Sequence, residues 1–289
     1  MTADRWRHAL VIAMPYAWLL LFFAAPFAIV LKISLADQAI GIPPYTPLMA
    51  EGKIQATIAN YQFLFSDSLY ARAYLNALWY AAWATFGCLL IGYPLAYGIV
   101  RAPLPWRSTL LLFVILPFWT SYLIRVYAWI GLLKGNGLIN NLLIGAGLIH
   151  EPLALINDAF AIYVGLIYTY LPYMVLPLYA ALEKLDPALL EAASDLGCRP
   201  STAFRRVTLP LSMPGVIAGC LLVFIPMCGE FVIPDLLGGP NQLMIGKVLW
   251  DEFFTNRDWP VASAVAVAML VLLVLPMAAV RRQLTGESV

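Results

Sequence analysis

Charge is scarce in this chain: 11% of its 289 residues are Asp, Glu, Lys or Arg, against 62% hydrophobic. A soluble domain carries about 25% charged residues. Histidine is scarcer still, with only His8 and His150, and neither has a ligand partner at helical spacing. Cys88, Cys198, Cys220 and Cys228 show no paired spacing, which argues against a disulfide framework or a metal site. No phosphate-binding loop is present. At Gly246-Lys247 the pattern fails because Asn241 stands where glycine is needed and Val248 follows the lysine. No G-x-S-x-G nucleophile motif occurs. Internal repeats, low-complexity tracts and a separable soluble domain are also lacking. These absences speak against ATP hydrolysis, covalent catalysis and a nucleic-acid partner for the chain by itself.

What is abundant is uncharged length. Tyr74 to Val100 runs 27 residues without a charge and Pro260 to Val280 runs 21. About 20 predominantly apolar residues suffice to cross a bilayer as a helix. Reading apolar runs between charge clusters gives six expected spans, 10–33, 73–100, 108–133, 159–182, 209–233 and 260–280, in one transmembrane domain over 1–289. The first exceeds the apolar core of a cleaved signal peptide, roughly 7–15 residues, and reads as an uncleaved span.

An even number of spans puts both termini on one side. If that side is cytoplasmic, the inner segments hold ten basic residues: Arg5, Arg7, Arg101, Arg107, Lys184, Arg199, Arg205, Arg206, Arg281 and Arg282. The outer segments hold five: Lys53, Arg72, Lys134, Lys247 and Arg257. The positive-inside bias therefore favours cytoplasmic termini and a cytoplasmic loop at 183–208. In the outer segments Pro43, Pro44 and Pro47 oppose regular helix, and Gly238-Gly239-Pro240 signals a turn.

The loop has a shape of its own. Asp186-Pro187 is a helix start, with an N-cap carboxylate and proline at the first helical position. Gly197 supplies a left-handed helix end. Pro200-Ser201 then opens a second short helix through Val207. Ala192 and Ala193 leave a low surface for close approach, and Glu191 offers a charge.

The run Glu191-Ala192-Ala193, three residues, Gly197, nine residues, Val207, one residue, Leu209-Pro210 resembles the EAA loop of ABC-importer permeases, with Val207 in place of the usual Ile. Leu116-Pro117-Phe118-Trp119-Thr120-Ser121, Arg125-Val126-Tyr127-Ala128-Trp129, Gly229-Glu230-Phe231-Val232-Ile233-Pro234, Leu237-Gly238-Gly239-Pro240 and Asn256-Arg257-Asp258-Trp259-Pro260 are similar to the permeases of spermidine/putrescine importers. The resemblance implies an all-α integral membrane protein of six transmembrane helices, with the type I (MetI-like) permease fold, in a bacterial inner membrane. It implies alternating access with a second permease chain, two ATPase subunits that use the ATP, and a periplasmic binding protein. Glu191, Ala192, Ala193, Gly197, Val207, Leu209 and Pro210 are then the ATPase-coupling residues, and no cofactor is bound by the chain itself.

For the substrate pathway, Glu230 stands out because an ionisable group within a span is costly and by default functional. A carboxylate facing a wet cavity attracts a small cation, and Asp235 near the outer face adds to that field. Trp119, Tyr122, Tyr127, Tyr168, Tyr170 and Tyr173 offer cation–π faces for an alkylammonium chain; they equally suit membrane interfaces and helix packing. Arg125 either snorkels outward or pairs with a carboxylate. Gly215 and Gly219 form a small-xxx-small step for close helix approach. The expected cargo is a polyamine. Importers of iron, sulfate or thiamine, and a stand-alone secondary transporter, remain the alternatives.

Overall fold

The computed structural model describes residues 2–50 and 53–285, with side chains described within 11–49 and 55–274. Arg5, Arg7, Lys53, Arg281 and Arg282, which enter the charge count, thus have side chains outside the described residues. Apart from a small antiparallel hairpin, Met49–Ala50 with Lys53–Ile54, the regular structure is helical. By internal packing the chain divides into two compact units, Met1–Tyr74 with Val248–Val289, and Leu75–Lys247.

In the first unit, α1 (Thr2–Leu19) passes through a π-helical turn (Leu20–Ala24) into α2 (Ala25–Ser34), followed by α3 (Ala59–Ser66). The prolines keep the segment before α3 largely irregular, but α3 itself lies where no helix was expected. The next helix, α4 (Ser68–Arg101), starts five residues before the expected span. At the other end of the chain come α13 (Ile245–Trp250, numbered ahead of α5–α12 of the second unit) and α14 (Trp259–Thr285), which packs on α2 and α3. Tyr70 donates to Glu252 Oε1 at 2.7 Å and Tyr74 to the Val265 carbonyl at 2.7 Å. Asp258 caps α14 by accepting from the Val261 N–H at 3.0 Å. Burial, together with the charge of Glu252, holds its carboxyl above the usual range against the opposing effect of that hydrogen bond.

The second unit carries α5 (Leu104–Ile115), α6 (Tyr122–Leu133), α7 (Leu138–Gly145), α8 (Ala159–Glu183), α9 (Pro187–Asp195), α10 (Pro200–Ala203), α11 (Leu209–Cys228) and α12 (Val232–Leu237). Its centre is the α8–α11 pair. A Cβ on Gly215 would collide with that of Ala181 and sit 2.9 Å from the Pro177 carbonyl oxygen. One on Gly219 would sit 2.8 Å from Met174 Sδ. The small-xxx-small step therefore lets α11 lie against α8 at backbone range.

Among the described residues, four helical runs are long and apolar enough to cross a membrane: Val11–Ser34, Ser68–Arg101, Ala159–Glu183 and Pro200–Cys228. Two expectations change. The expected span 108–133 is a broken pair, Leu104–Trp119 and Tyr122–Gly145, bent by 90°. Leu116–Trp119 tightens into a 3-10 turn, and Thr120 and Ser121 take extended backbone (ψ 152° and 136°). Thr120 Oγ1 closes the turn on the Pro117 carbonyl at 2.8 Å. Counting this pair once gives five crossings among the described residues, and the expected span 260–280 falls within α14, which runs 27 residues with its side chains described as far as 274.

The expected span 209–233 also shifts. It begins at Pro200 and ends at Cys228, because a π-helical turn (Phe204–Thr208) joins α10 to α11 without a break. Pro210 has no N–H to give, and its ring would crowd the carbonyl four residues back in a regular helix. The wider turn makes room, with the Leu209 N–H bonding the Phe204 carbonyl. The second short helix of the loop is thus the foot of a long one.

Candidate functional site

The polar loop is built from local rules. Asp186 accepts the Ala188 N–H at 2.9 Å and Pro187 opens α9. At its end Gly197 takes φ +74°. The Cys198 N–H reaches the Ala193 carbonyl at 2.9 Å and the Gly197 N–H reaches Ser194 at 2.8 Å, the paired bonds of a Schellman corner. Glu191 and Ala192 are exposed and Ala193 is half-buried. Leu189 is also exposed, and Leu196 stands 88% exposed at the corner. Behind this surface Phe204 packs edge-on against Tyr93 and Tyr97 of α4, with centroids 5.7 and 5.6 Å away. Tyr93 Oη lies 2.8 Å from Ser212 Oγ. These contacts join the loop to α4 and α11. Val207 is half-buried in the π turn, and Leu209 and Pro210 open α11 with partial exposure.

Glu230 is the second centre. It does not lie inside a span: α11 stops at Cys228, and Glu230 occupies the break before α12. It is only 8% exposed. Tyr122 of α6 donates to Oε1 at 2.8 Å and Tyr170 of α8 to Oε2 at 2.7 Å. The backbone N–H of Val232 reaches Oε1 at 3.0 Å, that of Ile233 at 3.5 Å. One carboxylate thus joins α6, α8 and the start of α12. Arg125, one turn beyond Tyr122, is partly exposed and pairs with no carboxylate among the described residues. Its guanidinium carbon lies 5.5 Å from the Phe118 ring and 5.8 Å from that of Tyr122. Its Nε and Nη1 are buried without a hydrogen-bond partner among the described residues. Ring faces at that range stabilise a cation.

The family model for the inner membrane component of binding-protein-dependent transport systems matches residues 9–284. The chain belongs to this family. It is 43% identical over 266 residues to the spermidine/putrescine transport system permease protein PotB of Haemophilus influenzae, covering 92% of this chain and 90% of that one. To PotB of Escherichia coli it is 39% identical over 258 residues, 89% of this chain and 90% of the relative. A crystal structure of a bacterial alginate ABC transporter with its periplasmic protein superposes with a TM-score of 0.70 at 18% identity, covering 94% of this chain and 91% of that one. The fold is accordingly the helical permease fold of type I importers, in a multi-pass inner membrane protein.

The residues singled out in this permease separate into groups. Tyr122, Tyr170 and Glu230 come together. Tyr173 joins them through Tyr170 (ring centroids 5.9 Å) and Phe118 (5.0 Å). Tyr168 packs edge-on against Trp129 at 5.5 Å. Trp119 and Tyr127 are 74% and 57% exposed on the outside of the bent pair. Asp235 does not stand as an open charge, because Lys247 Nζ lies 2.9 Å from its Oδ1. The sequence reading missed Leu189 and Leu196 on the loop surface. The available signal was a leucine directly before the Gly197 corner and another near the start of a short helix that the charge pattern places outside the membrane.

Proposed function

We propose that this permease forms half of the translocation pathway of an ATP-driven polyamine importer, working by alternating access. The observation that carries the reading is the 43% identity, spread over 266 residues, to a permease named for spermidine and putrescine transport. A second and different permease chain completes the pathway. Two ATPase subunits dock on the cytoplasmic loops, hydrolyse ATP and move them, while a periplasmic binding protein delivers the cargo. Both termini face the cytoplasm, as the distribution of basic residues favours.

In the loop, Glu191, Ala192, Ala193 and Gly197 form the docking helix and its corner. Val207, Leu209 and Pro210 set the π turn through which movement passes to α11. In the pathway, Glu230 acts first as an anchor for α6, α8 and α12. It serves the cation when the tyrosines release it, with the rings of Tyr122 and Tyr170 beside it and that of Tyr173 next to Tyr170. Trp119, Tyr127 and Tyr168 take part through the other permease or through movement of the bent pair. Asp235 contributes field only to the extent that Lys247 leaves it.

The test is reconstitution of the permease with its partner permease, ATPase and binding protein in proteoliposomes. ATP-dependent uptake of labelled spermidine or putrescine, undiminished by excess sulfate or thiamine, is the expected result. Uptake by the purified chain under an ion gradient without ATP would sink the proposal.

A further inference from the structure

A cavity of about 270 Å³ lies between the last turn of α4, helix α9 and the α10–α11 junction. Its polar groups converge from three elements. Arg101, the final residue of α4, has its guanidinium carbon 4.6 Å from the Tyr97 ring, which holds the fork in place. Ser194 lines the cavity from α9 and Thr208 from the π turn. Thr208 is 2% exposed, and its Oγ1 is buried with no hydrogen-bond partner among the described residues.

A helical threonine ordinarily bonds the carbonyl four residues back. Here no such bond forms among the described residues. A buried polar group without a partner calls for an explanation. Oγ1 is closed off from the cavity as it stands, and a ligand atom satisfies it when the Thr208 side chain turns toward the cavity that the residue lines. None of the lining residues is acidic, and Leu190 and Phe204 make the remaining wall apolar.

We propose that this cavity binds a phosphate-bearing anion with a compact apolar body, supplied by an anionic lipid headgroup or by a soluble phosphate ester. The planar Arg101 fork matches a pair of phosphate oxygens. The hydroxyls of Ser194 and Thr208, from separate elements, serve the oxygens that a planar carboxylate does not present. The space beyond a bare phosphate is walled by Leu190 and Phe204, which receive the body of the ligand. So held, the ligand ties the docking helix to the end of α4. The site stands on its own geometry and is independent of the polyamine reading.

Cys198 lines the same cavity and reports on it. The full chain is placed in phosphatidylcholine nanodiscs, and the rate of maleimide addition at Cys198 is read by peptide mass spectrometry. One arm adds phosphatidylglycerol to the bilayer, and the other adds glycerol 3-phosphate to the buffer. Protection of at least five-fold in either arm is expected, and the arm that protects names the source. Thr208→Val and Arg101→Gln should each abolish most of that protection while leaving the rate in phosphatidylcholine unchanged. Equal rates in all conditions, or protection undiminished in both variants, would overturn the proposal.

Discussion

Glu230 exchanges water for two tyrosine hydroxyls and two backbone N–H groups. A hydrogen bond to a charged group is worth about 1.5–3 kcal/mol. Tyr170→Phe is therefore expected to lower the stability of the permease by about 2 kcal/mol, read as a drop in its thermal unfolding midpoint in detergent. Glu230→Gln keeps the shape but replaces one acceptor oxygen with a donor facing a tyrosine hydroxyl. Uptake in the reconstituted importer should fall at least ten-fold while assembly persists, and unchanged uptake would remove Glu230 from the pathway. Thr208→Val moves the other way. It deletes a buried hydroxyl that lacks a partner among the described residues, and the ligand-free chain should gain about 1 kcal/mol. None of these partnerships was legible beforehand. Tyr122 and Tyr170 stand 108 and 60 residues from Glu230, and without folding nothing ties them to it.

At the level of elements, locally determined features were the readable ones. Asp186, Pro187 and Gly197 define α9 and its corner through contacts within five residues, and the structure carries each of them. Proline alone does not mark a break. Pro94, Pro172, Pro177, Pro214 and Pro226 all sit inside intact helices, whereas Pro117 sits at a 90° break. What separates them is the extended backbone of Thr120 and Ser121, which proline alone does not dictate. Gly197→Leu tests the corner. A left-handed conformation costs a residue with Cβ roughly 1–2 kcal/mol, so the corner should open. Transport should be lost while the permease still inserts and binds its partner permease. Gly197→Asn, better suited to φ +74°, should retain more activity.

For the molecule as a whole, composition and charge placement marked a membrane protein. The spacing of the loop identified the permease family across nearly the full chain. The α8–α11 pair holds the second unit together through the approach at Gly215 and Gly219. Gly215→Ala forces a methyl group into Ala181 and should destabilise the permease by about 1–3 kcal/mol, measurable as a reduced yield of folded protein in detergent. The cargo was legible only through resemblance, since the one buried carboxylate that suggested a cation turns out to be occupied by tyrosines.

The π turn at Phe204–Thr208 amounts to one residue more than a regular helix would use, and that surplus sets a phase. Each residue of an α-helix advances the chain by about 100° around its axis. Deleting Val207 alone removes that surplus and should leave the flanking helices nearly in phase. Deleting Arg206 and Val207 together takes out one residue more and should rotate everything before the turn by about 100° relative to α11. The face carrying Glu191 would then point away from the ATPase although every side chain of that face remains. A transporter that assembles in the membrane yet hydrolyses ATP without moving cargo is the expected phenotype, and it would identify angular register, rather than residue identity, as what the loop transmits.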